Sequence, residues 1–191
     1  AKALAAIYFK SEEAMLRFDM SEYKGEEGIK RLLGASPGEG SEKGEIEKVY
    51  DNPFSLVLLD EFEKADPKIL DLFLQVLDDG RLTDNKGKTI SFANSIIIAT
   101  SNAGSEFIRE KIQGKTEIDK IFKKSLLDFL QKQGIFKPEL LNRFDEIVVF
   151  KPLGEEDVVA ITKLMLNQFQ KNLKDKDIEV NFDDNIITKI T

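Results

Sequence analysis

A chain of 191 residues with 41% hydrophobic content is long enough for one domain, or one domain and part of a second, around a real core. It has no cysteine and no histidine, which excludes disulfide scaffolds, thiolate or imidazole metal sites, and Ser-His-Asp or Cys-His catalysis within the chain. A net charge of −7 argues against a nucleic-acid partner, and no apolar run reaches membrane-spanning length, so the expected setting is soluble and cytoplasmic, off the membrane.

Ala1 to Phe9 is Ala-rich and reads as a helix already under way, because no cap precedes it. Ala14 to Phe18 predicts a short strand and Gly25 to Leu33 a helix. Gly and Pro density makes Gly34 to Ser41 a loop. A short helix is expected over Ile46 to Tyr50, ending before Asn52-Pro53, and a strand over Ser55 to Asp60. Asp66-Pro67 then reads as an N-cap with proline in the first turn. Ile69, Leu70, Phe73, Leu74 and Leu77 recur at helical spacing until Asp79-Gly80. Ser95 to Thr100 predicts a second buried strand, and Ile118 to Gln133 an amphipathic helix closed by Gly134. Ile147 to Phe150 predicts a third apolar strand, broken by Lys151-Pro152. Asp157 to Leu173 predicts a last helix, followed by a charged turn, Lys174 to Asp177. Strands alternating with helices predict an α/β layered domain, and the segment after Pro152 opens a second, helical unit.

The run Leu56-Val57-Leu58-Leu59-Asp60-Glu61 carries the most information. A continuous apolar run is the pattern of a parallel strand buried on both faces. Such strands carry their chemistry at their C-terminal ends. Two carboxylates there suit a nucleotide-bound Mg²⁺ and an attacking water, as in a Walker B strand. The remaining palette of carboxylate, Lys, Arg, Ser, Thr and Asn suits Mg²⁺-assisted phosphoryl transfer. The same residues also read as a buried strand leading into an acidic helix start.

Five longer stretches bear on that choice: RFDMSEY from Arg17, LVLLDEFEKA from Leu56, LFLQVLDDGRLTDNKGKTISF from Leu72, SIIIATSNAGS from Ser95 and FKPELLNRFDEIVVFKPL from Phe136. Together they resemble the Clp-type AAA+ chaperone ATPases, and most of all the second, C-terminal ATPase module of the two-ring members. The resemblance implies a three-layer αβα parallel sheet over residues 1–151 and the start of a helical lid over 152–191. It implies ATP and Mg²⁺ as cofactors. Asp60 would orient Mg²⁺ through water, and Glu61 would polarise the water attacking the γ-phosphate. Asn102 would be the polar sensor at the end of the neighbouring strand; its other reading is a turn or N-cap residue. Arg143 would be an arginine finger reaching a neighbouring subunit's nucleotide; its other reading is a salt bridge with Asp145 or Glu146. The resemblance further implies a homo-oligomeric ring, a hexamer, that threads protein substrates. Arg81 takes a structural or signalling role in that picture.

The sequence also departs from the family. No Gly-x4-Gly-Lys-Ser/Thr phosphate loop is present. Gly87-Lys88-Thr89 fails because position 82 is Leu and a strand follows; Gly114-Lys115-Thr116 fails because position 109 is Arg. Both are expected to be turns. Ala1 to Ala5 matches the helix that follows the family's phosphate loop, so the loop and its central strand are expected upstream. The expectation is a gap in the sheet and weak or absent ATP binding by this chain alone. A non-hydrolysing assembly module is the alternative function. After Pro37-Gly38 the family's aromatic pore segment is replaced by Glu39-Gly40-Ser41-Glu42. Glu110 to Glu117 lacks the tripeptide some members use to dock a peptidase, which leans toward a disaggregase.

Overall fold

The computed structural model describes residues 1–38, 40, 42–112, 118–174, 178–180 and 182. The chain divides into two compact units, Ala1–Val148 and Val149–Thr191. In the first, three strands, β1 (Met15–Asp19), β2 (Leu56–Asp60) and β5 (Ile96–Ala99), form a parallel sheet in the order β1-β2-β5. A separate hairpin pairs β3 (Arg81–Thr83) with β4 (Thr89–Ser91). Helices α1 (Lys2–Phe9), α2 (Gly25–Leu33), α3 (Glu47–Asp51), α4 (Pro67–Asp79), α5 (Ser105–Ile112), α6 (Lys120–Lys132) and α7 (Pro138–Leu141) complete this unit.

The register explains both apolar faces. Met15, Leu56 and Ile96 stand in one row, and Arg17, Leu58 and Ile98 in the next. Side chains alternate across a strand, so these rows share a face. On that face Leu56 and Leu58 pack with Ala5 and Phe9 of α1, and with Met15 and Ile98. Phe18, Val57 and Leu59 point to the opposite face and are also buried. Burial on both sides is why β2 reads as an unbroken apolar run.

Helix α4 starts and stops where local chemistry dictates. Asp66 caps it by accepting from the Lys68 backbone N–H at 2.9 Å, with Pro67 in the first turn. The other Asp66 oxygen accepts from the Gly25 N–H at 3.1 Å, tying the start of α2 to that of α4. Gly80 ends the helix with φ 65°, a left-handed conformation that costs glycine little. The fully buried stripe is Ile69, Phe73 and Val76, with Leu70, Leu74 and Leu77 partly buried. Phe73 meets Phe62 edge-on at 5.9 Å between ring centroids; Phe62 also stacks on Phe136 at 6.0 Å and meets Phe144 at 6.3 Å. Phe62, Phe73 and Phe136 are buried, and each contributes roughly 1.5–3 kcal/mol by area alone.

Gly87 and Lys88 lie in the connection of the β3–β4 hairpin, as expected of a turn, but Thr89 already opens β4. Asp84 Oδ1 accepts from the Lys86 and Lys88 backbone N–H groups at 2.9 and 2.8 Å, and Gly87 has φ 81°. Gly114-Lys115-Thr116 lies outside the described residues, as do Glu39 and Ser41 of the pore-loop stretch, most of Lys174 to Asp177, and residues 113–117 of the peptidase-docking stretch.

Two strand expectations need correction. Ile147 to Phe150 forms no strand, and Val148 and Phe150 are 65% and 84% exposed. Its apolar pattern supplies propensity, but a strand exists only through its ladder, and no ladder to this segment forms among the described residues. Similarly, β5 is half-buried along its whole length instead of buried. It is the edge of the described sheet, so one of its flanks is uncovered. In the second unit, α8 (Glu155–Lys174) spans the expected helix, and Asp157 accepts from the Gly154 N–H at its start.

Candidate active site at the C-terminal edge of the sheet

Parallel register brings the ends of all three strands to one edge, and one side chain from each strand line meets there. Asp60 ends β2. Its Oδ2 accepts two hydrogen bonds from Arg17 of β1, at 3.0 Å from Nε and 2.6 Å from Nη2. Its Oδ1 accepts from the hydroxyl of Thr100, the residue after β5. Thr100 is in turn fixed by the backbone: its N–H donates to the Leu59 carbonyl and its carbonyl accepts from Phe62 N–H, both at 2.9 Å. The Thr100 hydroxyl and the Arg17 guanidinium hold the Asp60 carboxyl below the usual aspartate range, against the opposing effect of partial burial. Asp60 is therefore an anion whose two oxygens are both aimed.

Glu61 follows with φ 55° and ψ 47°, the left-handed region that a non-glycine residue enters at a cost of roughly 1–3 kcal/mol. This turn carries the chain from β2 into a 3-10 turn, Phe62–Lys64. Glu61 N–H leans on the Thr100 hydroxyl oxygen at 3.4 Å. Among the described residues no side chain hydrogen-bonds to the Glu61 carboxylate, which follows Asp60 directly in sequence.

Asn102 lies two residues beyond Thr100 and is exposed. Its backbone N–H donates to Glu63 Oε1 at 3.2 Å. The side-chain hydrogen bond of this turn belongs to Ser101, whose Oγ accepts from Ala103 N–H at 3.0 Å. Arg143 does not join the cluster. It pairs with Asp78 near the C-terminal end of α4, while its neighbour Phe144 packs on Phe62. Neither carboxylate foreseen for Arg143 holds it, and Glu146 instead pairs with Lys123 at 2.6 Å. Arg81 opens β3 and is exposed.

The donor set fits Mg²⁺ carried by a nucleotide. Mg²⁺ in such sites takes one or two protein carboxylates and completes its shell with phosphate and water. Asp60 supplies one such carboxylate, and the described residues hold no cluster of three or more His, Cys, Asp or Glu that would form an all-protein cage.

A family model described as "AAA domain (Cdc48 subfamily)" matches residues 1–147. The chain belongs to the AAA family. A second model, "C-terminal, D2-small domain, of ClpB protein", matches residues 153–191. The chaperone protein ClpB of Prochlorococcus marinus is 46% identical over 192 residues, covering 97% of this chain and 22% of that protein. The chloroplastic ClpB2 of Oryza sativa is 46% identical over 186 residues, covering 94% and 19%. Among solved structures, Hsp104 in a closed state with ATPγS and casein superposes with a TM-score of 0.77 at 36% identity, over 90% of this chain and 29% of that one. The S. cerevisiae Hsp104–casein complex in its extended conformation gives 0.76 at 35%, over 89% and 29%. This is a ClpB-like AAA+ chaperone ATPase module with the AAA αβα fold, and it spans about a fifth of the length of the curated relatives it matches.

In this AAA module, Arg17 and Thr100 are the site residues that motif reading missed. Arg17 lay in plain view in RFDMSEY and Thr100 in ATSN, but neither local pattern names its partner. Replacing Thr100 by Val removes the hydroxyl and keeps the shape. The Asp60 pKa should then rise toward the ordinary aspartate value, read by carboxyl-carbon NMR titration. A depressed folded-state pKa stabilises the fold above the unfolded-state value, and the gain is lost as pH falls through the depressed one. The variant should lose part of that acid-side dependence; an unchanged Asp60 titration would show that the Thr100 hydroxyl does not hold the carboxylate.

Proposed function

We propose that this chain is the hydrolytic part of the second ATPase module of a hexameric Clp-type protein disaggregase, working in the cytoplasm. Two subdomains are assigned: a large α/β subdomain over 1–151 and the start of a helical lid over 152–191, in keeping with the two ranges matched by separate family models. The observation that carries the reading is the aimed Asp60 anion beside an unpaired Glu61 at the C-terminal edge of a parallel sheet. An assembly module would need neither acid.

Mg²⁺ bound with ATP supplies charge neutralisation for the phosphates. Asp60 holds its water shell. Glu61 accepts a proton from the attacking water, for which its free carboxylate is suited. Asn102 orients the same water from the next strand line. Arg143 leaves its Asp78 pair to stabilise charge at a neighbouring subunit's nucleotide. That exchange is modest in cost, because the pair is half exposed on both sides. The casein in the Hsp104 structures supports polypeptide as the substrate class.

In the full-length protein, Glu61→Gln should slow hydrolysis on the order of a hundredfold or more while nucleotide still binds. Turnover at the wild-type rate would remove Glu61 from the role. Arg143→Ala should cost about a thousandfold in turnover, with circular dichroism and thermal midpoint of the monomer preserved. Normal turnover in an assembled ring would return Arg143 to the status of a surface ion pair.

A further inference from the structure

The short turn after the acid pair contains a third carboxylate that the proposed chemistry does not use. Glu63 sits in the 3-10 turn Phe62–Lys64 and is half-buried. Its Oε1 accepts from the Asn102 backbone N–H at 3.2 Å, across 39 residues of sequence. Its Oε2 is buried and has no hydrogen-bond partner among the described residues. Leaving such an oxygen unsatisfied carries a desolvation cost, and an apolar side chain would fill the space without it. A carboxylate kept there at that cost calls for a task only an acceptor can perform.

The surroundings say what the task is. Phe62, one residue earlier, donates its N–H to the Thr100 carbonyl at 2.9 Å. Glu61 N–H contacts the Thr100 hydroxyl. These two bonds register the acid pair against the end of β5 as far as Thr100, and no further. The segment from Ser101 onward leaves the ladder, and Asn102 is exposed. The Glu63 carboxylate is the one side chain among the described residues that reaches over to hold the Asn102 backbone. A charged acceptor makes a stronger bond to an N–H than a neutral one. The other side of the turn is immobilised by Phe62, whose ring is 2% exposed and lies against Phe73, Phe136 and Phe144.

We propose that Glu63 is the positioning residue for Asn102: it clamps the sensor backbone to the same turn that carries Glu61, so that the two groups addressing the attacking water keep a fixed separation. This rests on the sensor role proposed for Asn102. In this role Glu63 acts only through Asn102.

The test uses the full-length protein with four variants: E63A, E63Q, N102A and the E63A/N102A double. ATP turnover and the affinity for a fluorescent ADP analogue are measured for each. Glu63→Ala should lower kcat by about tenfold or more, the scale of one hydrogen bond to a charged acceptor, with nucleotide affinity unchanged. E63Q keeps a carbonyl acceptor for the Asn102 N–H and should recover most of the rate. The double variant should be no slower than N102A alone, because a residue acting through Asn102 has nothing left to position. Three results would overturn the proposal: a wild-type kcat in E63A when N102A is slow, multiplied losses in the double variant, or an E63Q as slow as E63A. If N102A itself turns over normally, the sensor role falls and the positioning role with it; that outcome is told apart from a failure of Glu63 alone by the N102A rate.

Discussion

The Asp60 carboxylate, held from both sides, is the interaction on which the rest of this site depends. One oxygen takes Arg17 from β1, the other takes the Thr100 hydroxyl from the end of β5. Three strands contribute because they are parallel and in register, so that their C-terminal ends arrive together. An antiparallel neighbour would bring a strand start to this edge instead. The αβα layering thus places these polar groups: α1 covers one face of the sheet, burial of Phe18, Val57 and Leu59 closes the other, and the edge remains for them.

The turn after β2 joins the parts. Glu61 adopts a left-handed backbone, Phe62 enters the aromatic cluster, and Glu63 reaches the Asn102 backbone. Phe144 belongs to the same cluster, next to Arg143. The aromatic core therefore fixes the base of the segment that carries the arginine, while the guanidinium itself rests on an exposed aspartate. A residue with a packed base and a weakly held tip is suited to exchange one partner for another. The hydroxyl of Thr100 and the carboxylate of Glu63 are fixed by contrast, and each ties β5 or its extension to the turn.

Much of this was legible in the sequence where the signal is local. Apolar continuity marked β2, Asp66-Pro67 marked the start of α4, Gly80 its end, and Leu82 with the strand that follows marked Gly87-Lys88 as a turn in place of a phosphate loop. The long motifs marked the family. Long-range pairings were not legible, because nothing in the neighbourhood of Arg17 points 43 residues ahead to Asp60, and nothing near Arg143 points back to Asp78. Ile147 to Phe150 failed for a related reason: its composition suits a strand, but composition does not supply the neighbouring ladder. The half-burial of β5 is the same constraint seen from the sheet's edge.

The most direct test of the account is a structure of the full-length protein bound to Mg²⁺ and a hydrolysis-resistant ATP analogue. The metal's water shell should sit on the Asp60 carboxylate, Glu61 and Asn102 should face the terminal phosphate, and Arg143 of this module should be released from Asp78 toward the adjoining subunit. Nucleotide bound away from this edge, with Asp60 and Glu61 facing no phosphate, would contradict it.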